Sequence, residues 1–420
     1  MRILILGINY FPERTSVSPF TTGLSEHLAA QGHDVQVVTA FPYYPEWRTW
    51  KEYRGHITKS EVRNGVKIRR VRHFIPWRAS SLVQRLLHDF SFMYVALIAG
   101  VLSGKCDVVY CSSPPPAVAL AAYVVSRIRR VPYTIKLTDL ASDAALATGI
   151  LQEGSLIRCA RRIETFAYRH ARAVICLCDG FRKRLARDGL SPNHLHVIPD
   201  WGDTQAVHPV CHDGSFRAAH EIGNEEFVVL HTGNMGKKQD LLNVVRAAEL
   251  TREDASLQWV IVGEGEDRSL IENEIQSKNL TNLRLLPLQP VAQLCQMYAS
   301  ADVLLLNQKA AVKDSVIPSK LLTYMAAGKA VLCAASVESE AAQLIVQARC
   351  GRVVHPENPA ALVEGLLALR SDRIERDTMG SNGRAYAENH YSKARVLSLY
   401  DHFFESFAET KPALAAVAAD

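Results

Sequence analysis

Apolar residues fall along most of this chain in short runs, each closed by glycine, proline or a polar cluster. The runs "RILILGI", "DVQVVTA", "KIRRVRHF", "CDVVYCSS", "PYTIKL", "RAVICLC" and "LHVIPD" come first, and "FVVLHTG", "LQWVIVGEG", "LRLLPLQ", "DVLLLNQ", "AVLCAA" and "CGRVVH" follow. Runs this short and this apolar suit strands buried on both faces. Between most of them lie stretches with helical periodicity, such as "FTTGLSEHLAAQGH" and "LLNVVRAAELTRE". Strand and helix in alternation predict an α/β chain of parallel sheets with crossover helices. The two sets of strands are parted by "PDWGDTQAVHPVCHDGS", whose Pro, Gly and Asp content predicts a linker. The expected architecture is two doubly wound, Rossmann-like domains, 1–205 and 206–385, facing each other across a cleft. A helix over 386–410 should pack back toward the first domain, leaving a frayed tail over 411–420. Ligands of such sheets sit at the carboxyl ends of the strands.

Two stretches carry candidate chemistry at those ends. In "VVLHTGNMGKKQDLLNVVRAAE" a strand runs into Gly233, Asn234, Met235 and Gly236, and two lysines then enter a helix. Glycines let a backbone approach a phosphate, a helix start offers free N–H groups, and Lys237 or Lys238 supplies charge. A plain strand–helix turn with solvated lysines would look the same. In "KDSVIPSKLLTYMAAGKAVLCA", Lys313 to Ala334, the spacing predicts a helix of about two to three turns, stopped at Gly328 and followed by a buried strand. Its start is suited to an anion, or to an ordinary cap. The turn after the first strand reads "GINYFPE" where G-x-G-x-x-G would be needed, and the chain contains no "GKS" or "GKT". A nicotinamide dehydrogenase and a P-loop kinase are thereby disfavoured.

Composition changes little: 48% hydrophobic and 22% charged is ordinary for a globular protein. The nine cysteines are scattered, without C-x-x-C pairs, and fit a reducing cytosol better than a zinc or disulfide framework. "MRILILGINY" reads as a first strand rather than a signal peptide. Charge is more informative. Up to Val210 there are 27 Lys and Arg against 16 Asp and Glu, and beyond it 21 against 27. Much of the excess lies in "RNGVKIRRVRHFIPWRASSLVQRLLHDF", just before the thirteen-residue apolar run Phe90 to Leu102. That run reads as a buried helix or as a segment dipping into one leaflet. Basic residues beside Trp and Phe suit the inner face of a membrane, with Arg69, Arg70 and Arg72 read as solvated. No nucleic-acid-binding motif accompanies the charge.

The segments "TGNMGKKQ", "VGEGED", "PSKLLTYMAAGKAVL", "ESEAAQLI" and "CGRVVHPENPAAL", in that order, resemble the donor half of the retaining glycosyltransferases of family four, which have the GT-B fold. "GINYFPE", "LSEHLAAQGHDVQVVTA" and "IKLTDLASDAAL" resemble its N-terminal half, most closely in the exopolysaccharide, colanic-acid-type branch. The resemblance implies a sugar moved from a nucleoside-diphosphate sugar to a glycan acceptor, such as a lipid-linked exopolysaccharide or O-antigen intermediate. GDP-fucose is the first donor to try. It implies Lys238 on the donor diphosphate, and Asp139 presented to the reacting centre with Asp143 as a nearby second carboxylate. Gly233, Asn234, Gly236, Lys237, Gln239, Glu264, Asp314, Ser315, Pro318, Ser319, Lys320 and Thr323 complete the donor-binding set. Tyr10, Pro12, Glu13, Ser16, Tyr44 and Trp47 form the acceptor side, with Tyr43 and Trp50 in the same aromatic loop.

The chain also departs from the family pattern. Ser315 and Thr323 stand where many members carry two glutamates, Asn234 where an arginine is common, and Ser16 and Ser18 near a usual glycine pair. No metal or cofactor is expected, because lysines and N–H groups can hold the departing diphosphate. The carboxylate pair Glu264 and Glu266, of similar spacing to a metal-binding D-x-D, lies in a sharp turn. A nucleotide-sugar epimerase of the same fold, or a non-catalytic nucleotide-sugar-binding subunit, is the alternative.

Overall fold

The computed structural model describes residues 1–13, 17–78, 81–113, 115–138, 154–312 and 317–409. They divide into two compact units, one of Met1–Pro199 with the chain from Leu397 onward, the other of Asp200–Val396. The expected site residues Ser16, Asp139, Asp143, Asp314 and Ser315 lie outside the described residues.

The first unit holds strands β1 (Arg2–Leu6), β2 (Asp34–Ala40), β3 (Thr58–Arg63), β4 (Val66–Val71), β5 (Val108–Ser113), β6 (Tyr133–Leu137), β7 (Ala173–Cys176) and β8 (Leu195–Val197). They form one sheet in the order β3-β4-β2-β1-β5-β6-β7-β8, all parallel except the β3–β4 pair. The sequence pattern did not reveal β3. Its residues are polar and half-exposed, as an edge strand tolerates, and it joins β4 through Asn64-Gly65, both with positive φ. Asn-Gly is the dipeptide that a two-residue hairpin turn of this hand favours.

The apolar run before β5 belongs to a longer helix, Leu82–Val101, which packs against the helix Ala117–Arg129 and the sheet. Its inner stripe is His88, Phe92, Ala96, Ala99 and Gly100. Gly100 is a close approach, since a Cβ there would meet Val125 Cγ2 at 3.0 Å. The outer stripe of Val83, Leu86, Leu87, Phe90, Tyr94 and Ile98 is exposed. The expectation for Arg69, Arg70 and Arg72 needs correcting at Arg70. That guanidinium is 1% exposed, pairs with Glu61 at 2.6 Å and donates to Phe11 O at 2.5 Å. In a strand, alternate side chains face opposite ways, so a run of basic residues cannot all face water.

The second unit holds β9 (Phe227–Asn234), β10 (Leu257–Glu264), β11 (Leu283–Leu286), β12 (Val303–Asn307), β13 (Ala330–Ala334) and β14 (Gly351–Val354), ordered β11-β10-β9-β12-β13-β14 and all parallel. Its sheet has a core on each face, which is why the strands read as unbroken apolar runs. Val228, Leu230, Val260, Val262, Leu304 and Leu306 point into one cluster. Val229, Trp259, Ile261, Val303 and Leu305 point into the other. The direction of strand addition reverses between β9 and β12, and beyond the carboxyl ends of that pair a doubly wound sheet leaves a crevice.

Candidate active site

The crevice of the second unit is built from glycine turns, one asparagine and a half-buried lysine. One residue before the end of β9 stands Gly233, whose φ of +114° is a region that L side chains rarely adopt. A Cβ there would sit 3.5 Å from Lys320 Nζ. Beside it on β10 stands Gly263, where a Cβ would fall 1.9 Å from Gly233 O, and one at Gly265 would fall 2.4 Å from Met235 O. The two turns are zipped backbone to backbone, Met235 N–H donating to Glu264 O at 2.8 Å and Asp267 N–H to Met235 O at 2.9 Å.

The chain then makes a single tight turn over Lys237–Gln239 and passes through Asp240, in the left-handed region, into the helix Leu241–Leu250. Asn307, the last residue of β12, fixes that turn. Its Nδ2 donates to Gln239 O at 2.7 Å and Asp240 O at 2.9 Å, and its Oδ1 accepts from Asn243 Nδ2 at 3.0 Å. Lys309 N–H adds a bond to Lys238 O at 3.0 Å. The backbone of the lysine turn is thus held from below by the neighbouring strand. Sequence reasoning missed Asn307; the signal was a polar residue closing an otherwise apolar strand, "DVLLLNQ".

The helix Ser319–Ala326 opens on the same crevice, with Pro318 extended ahead of it. Tyr324 OH accepts from Thr232 N–H at 2.8 Å and ties the helix to β9. From its first turn Lys320 reaches under Gly233, and Nζ donates to Gln239 Oε1 at 3.0 Å. Nζ also lies 3.3 Å from Nε2 of the buried His231. His231 Nδ1 is 3.0 Å from Leu305 O. A carbonyl only accepts, so Nδ1 carries the proton and Nε2 is left to accept from Lys320. Burial pushes the Lys320 amine down to about 7. Burial, and then the charge of Lys320, hold His231 well below its ordinary value, so it is neutral. Among the described residues no carboxylate pairs with Lys320.

The remaining donor-side candidates gather around this centre. Lys237 is exposed and Lys238 half-buried in the turn, and Asn234 is exposed beside Gly236. Ser319 is exposed at the helix start, and the Thr323 hydroxyl bonds back to Ser319 O at 3.3 Å. Glu264 is half-exposed, 3.5 Å from Arg268.

The first unit arranges its candidates differently. Tyr10 is 1% exposed, with its hydroxyl 2.8 Å from Ser25 Oγ, so it is a core residue. Glu13 follows Pro12 and is buried too. Its Oε1 accepts from the N–H groups of Tyr43 and Tyr44, both at 2.7 Å, and its Oε2 from Asn9 Nδ2 at 2.8 Å. Burial raises its pKa, and those bonds pull it back down. Glu13 therefore braces the aromatic loop, while the partly exposed Tyr44 and Trp47 are its accessible members. Tyr43 OH is 3.0 Å from His88 Nε2, and His88 Nδ1 is 2.9 Å from Asp89 Oδ1, a second brace with no signal in the residue pattern.

Two family models match the chain, the glycosyl transferase 4-like domain over residues 16–201 and the glycosyl transferases group 1 domain over 213–386. "Putative colanic acid biosynthesis glycosyl transferase WcaI" of Escherichia coli (strain K12) is 29% identical over 412 residues, 94% of this chain and 98% of that protein. Among solved structures, sucrose-phosphate synthase from Thermosynechococcus elongatus superposes with a TM-score of 0.75 at 16% identity, covering 97% of this chain and 100% of the other. HepE of Anabaena, solved in complex with UDP-glucose, gives 0.70 at 16%, again over 97% and 100%. Two parallel-sheet units, each matched along its length by one half of this enzyme class, identify the chain as a GT-B glycosyltransferase of family four.

Proposed function

We propose that the protein moves a sugar from a nucleoside-diphosphate sugar to a lipid-linked glycan acceptor in exopolysaccharide assembly, with retention and without a metal. The observation that carries the donor half is the Lys320 amine, held under a glycine turn at the strand reversal with no carboxylate among the described residues to neutralise it. As the sugar departs, negative charge grows on the diphosphate. Lys238, Lys320 and the N–H groups at the start of the Ser319–Ala326 helix are the groups to receive it. Asp139 is proposed to orient the acceptor hydroxyl. The WcaI relative supports the exopolysaccharide setting, and the HepE complex supports a nucleotide-sugar donor. The comparisons give the epimerase and the non-catalytic subunit no support. A thermal-shift screen across UDP-, GDP-, dTDP- and CMP-sugars, followed by turnover of the best donor with lipid-linked acceptors, tests the reading. Stabilisation by none of them would overturn it.

The outer stripe of the Leu82–Val101 helix favours a peripheral place at the membrane. That helix is long and apolar enough to cross a bilayer by length and composition, and only 22% of its 18-residue apolar window is buried. Because its inner stripe packs in the first unit, the outer one would lie on an anionic leaflet, with Arg72, Arg78 and Arg85 nearby in sequence. Co-sedimentation with anionic liposomes should exceed that with neutral ones, and L87E with F90E should abolish it. Unchanged binding by that variant would exclude the stripe.

A further inference from the structure

Lys320 and His231 make a pair whose function in the site goes beyond placing a positive charge. The amine has two acceptors, Gln239 Oε1 at 3.0 Å and His231 Nε2 at 3.3 Å. An ammonium has three hydrogens, so the charged form has one left to donate. We propose that donor binding draws one proton from solvent onto Lys320 Nζ, with His231 as the neutral acceptor that keeps the amine aimed under Gly233. The inference rests on the donor reading above.

The groups around the pair make this physically reasonable. The His231 ring is fixed by Leu305 O, and among the described residues Lys320 is the one charge that acts on it. The neighbouring turn Lys237–Gln239 carries two lysines and no carboxylate. Asp240 has Glu357, Lys309 and Arg246 as its charged neighbours, and Glu264 is occupied with Arg268. Among the described residues the free site is therefore short of negative charge, and burial leaves the amine mostly unprotonated above about pH 7. A diphosphate placed beside it favours the ammonium and raises its pKa. One N–H bond forms at Nζ, one bond to hydrogen breaks in the buffer acid, and its conjugate base is released to solvent. His231 serves as a positioning residue, because it acts through Lys320.

The test is calorimetric titration of the whole protein with UDP-glucose and GDP-fucose, or whichever sugar of the panel binds. Nucleotide sugars carry no terminal phosphate that titrates near neutrality, so the ligand supplies no proton change of its own. In two buffers of unequal ionisation enthalpy, the expected result at pH 8 is uptake of about one proton per sugar bound, falling toward none at pH 6. Affinity should drop about tenfold per pH unit between 7.5 and 9.5. Lys320→Arg, charged at every pH, should bind with no uptake. His231→Phe should weaken binding and shift the pH midpoint, which a merely structural change would leave in place. If the sugar binds wild-type protein with no buffer dependence at pH 8, the proton inference is overturned and the donor reading stands. If no nucleotide sugar binds at all, both are overturned. The wild-type pH series decides the matter even where a variant fails to fold.

Discussion

Replacing Lys320 by Met should make the unliganded protein more stable while removing its ability to hold donor. The amine sits at about 7 in the fold against an ordinary 10.5. A displacement that large corresponds to roughly 5 kcal/mol at most. As a residue Lys320 is only half-buried, so part of that is relieved by water, and about 2–3 kcal/mol is a sounder figure. Met keeps the stem and loses the amine. Gln239 can turn to solvent, whereas His231 Nε2 is left buried without a donor, costing about 1 kcal/mol. The net gain at pH 7 is about 1–2 kcal/mol, a rise in melting temperature of roughly 2–8 °C for a unit of this size. The pH dependence distinguishes this cause from others. The unfolded lysine stays charged up to 10.5, while the folded one gives up its proton above about 7. The penalty is therefore complete at pH 7 and below and fades, by at most about 1.4 kcal/mol per unit, until it is gone by pH 10.5. Chemical denaturation of both proteins at pH 7, 8 and 9 measures it. A variant no more stable than wild type at pH 7, or an advantage that stays constant to pH 9, would refute the reasoning.

Three further predictions concern the site. Lys238→Ala should lose about 2–3 kcal/mol of donor affinity or transition-state stabilisation, the scale of a charge-assisted bond, read from kcat/KM with Lys237 intact. Near-normal turnover would remove Lys238 from the diphosphate. Asp139→Asn should bind donor within a few-fold of wild type while transfer falls about 10²-fold or more; if transfer survives, Asp143 is tested next. Asn307→Ala takes a double donor from beneath the lysine turn and leaves two carbonyls short. It should cost about 2–3 kcal/mol of stability and weaken donor binding more than Ser319→Ala does, by denaturation and calorimetry respectively.

The strands of the second unit were legible because both faces of its sheet are buried, so every position from Val228 to Thr232 or Val303 to Leu306 had to be apolar or internally bonded. The same logic hid β3, whose edge position permits "TKSEVR"; only Asn64-Gly65 signalled a hairpin there. Glycines and lysines of the donor loop were readable one by one. What could not be read was which lysine is enclosed, because enclosure depends on His231 and Gln239, 89 and 81 positions away from Lys320. Arg70 failed for a related reason: residue type suggested solvent, while strand parity and Glu61 put it inside. Glu13 and Tyr10 sit in a motif associated with substrate, yet their polar atoms are spent on Tyr43, Tyr44 and Ser25.

The last helix, Lys393–Glu409, has a consequence for how the chain is made. From Leu397 it belongs to the first unit, where Asp401 lies 2.8 Å from His27 across 374 positions, and Tyr400 and Phe404 are buried against Tyr110. A ribosome releasing about 5–20 residues per second needs roughly 20–80 s between those two partners. Throughout that interval the amino-terminal sheet waits with the seat for Tyr400 and Phe404 vacant, while the second unit can close on its own sequence. In effect the second unit is an insertion, and the first unit is completed only when the Lys393–Glu409 helix returns to it. Stalled chains ending near Ser392 should therefore protect the second unit from protease and leave the first one open to it.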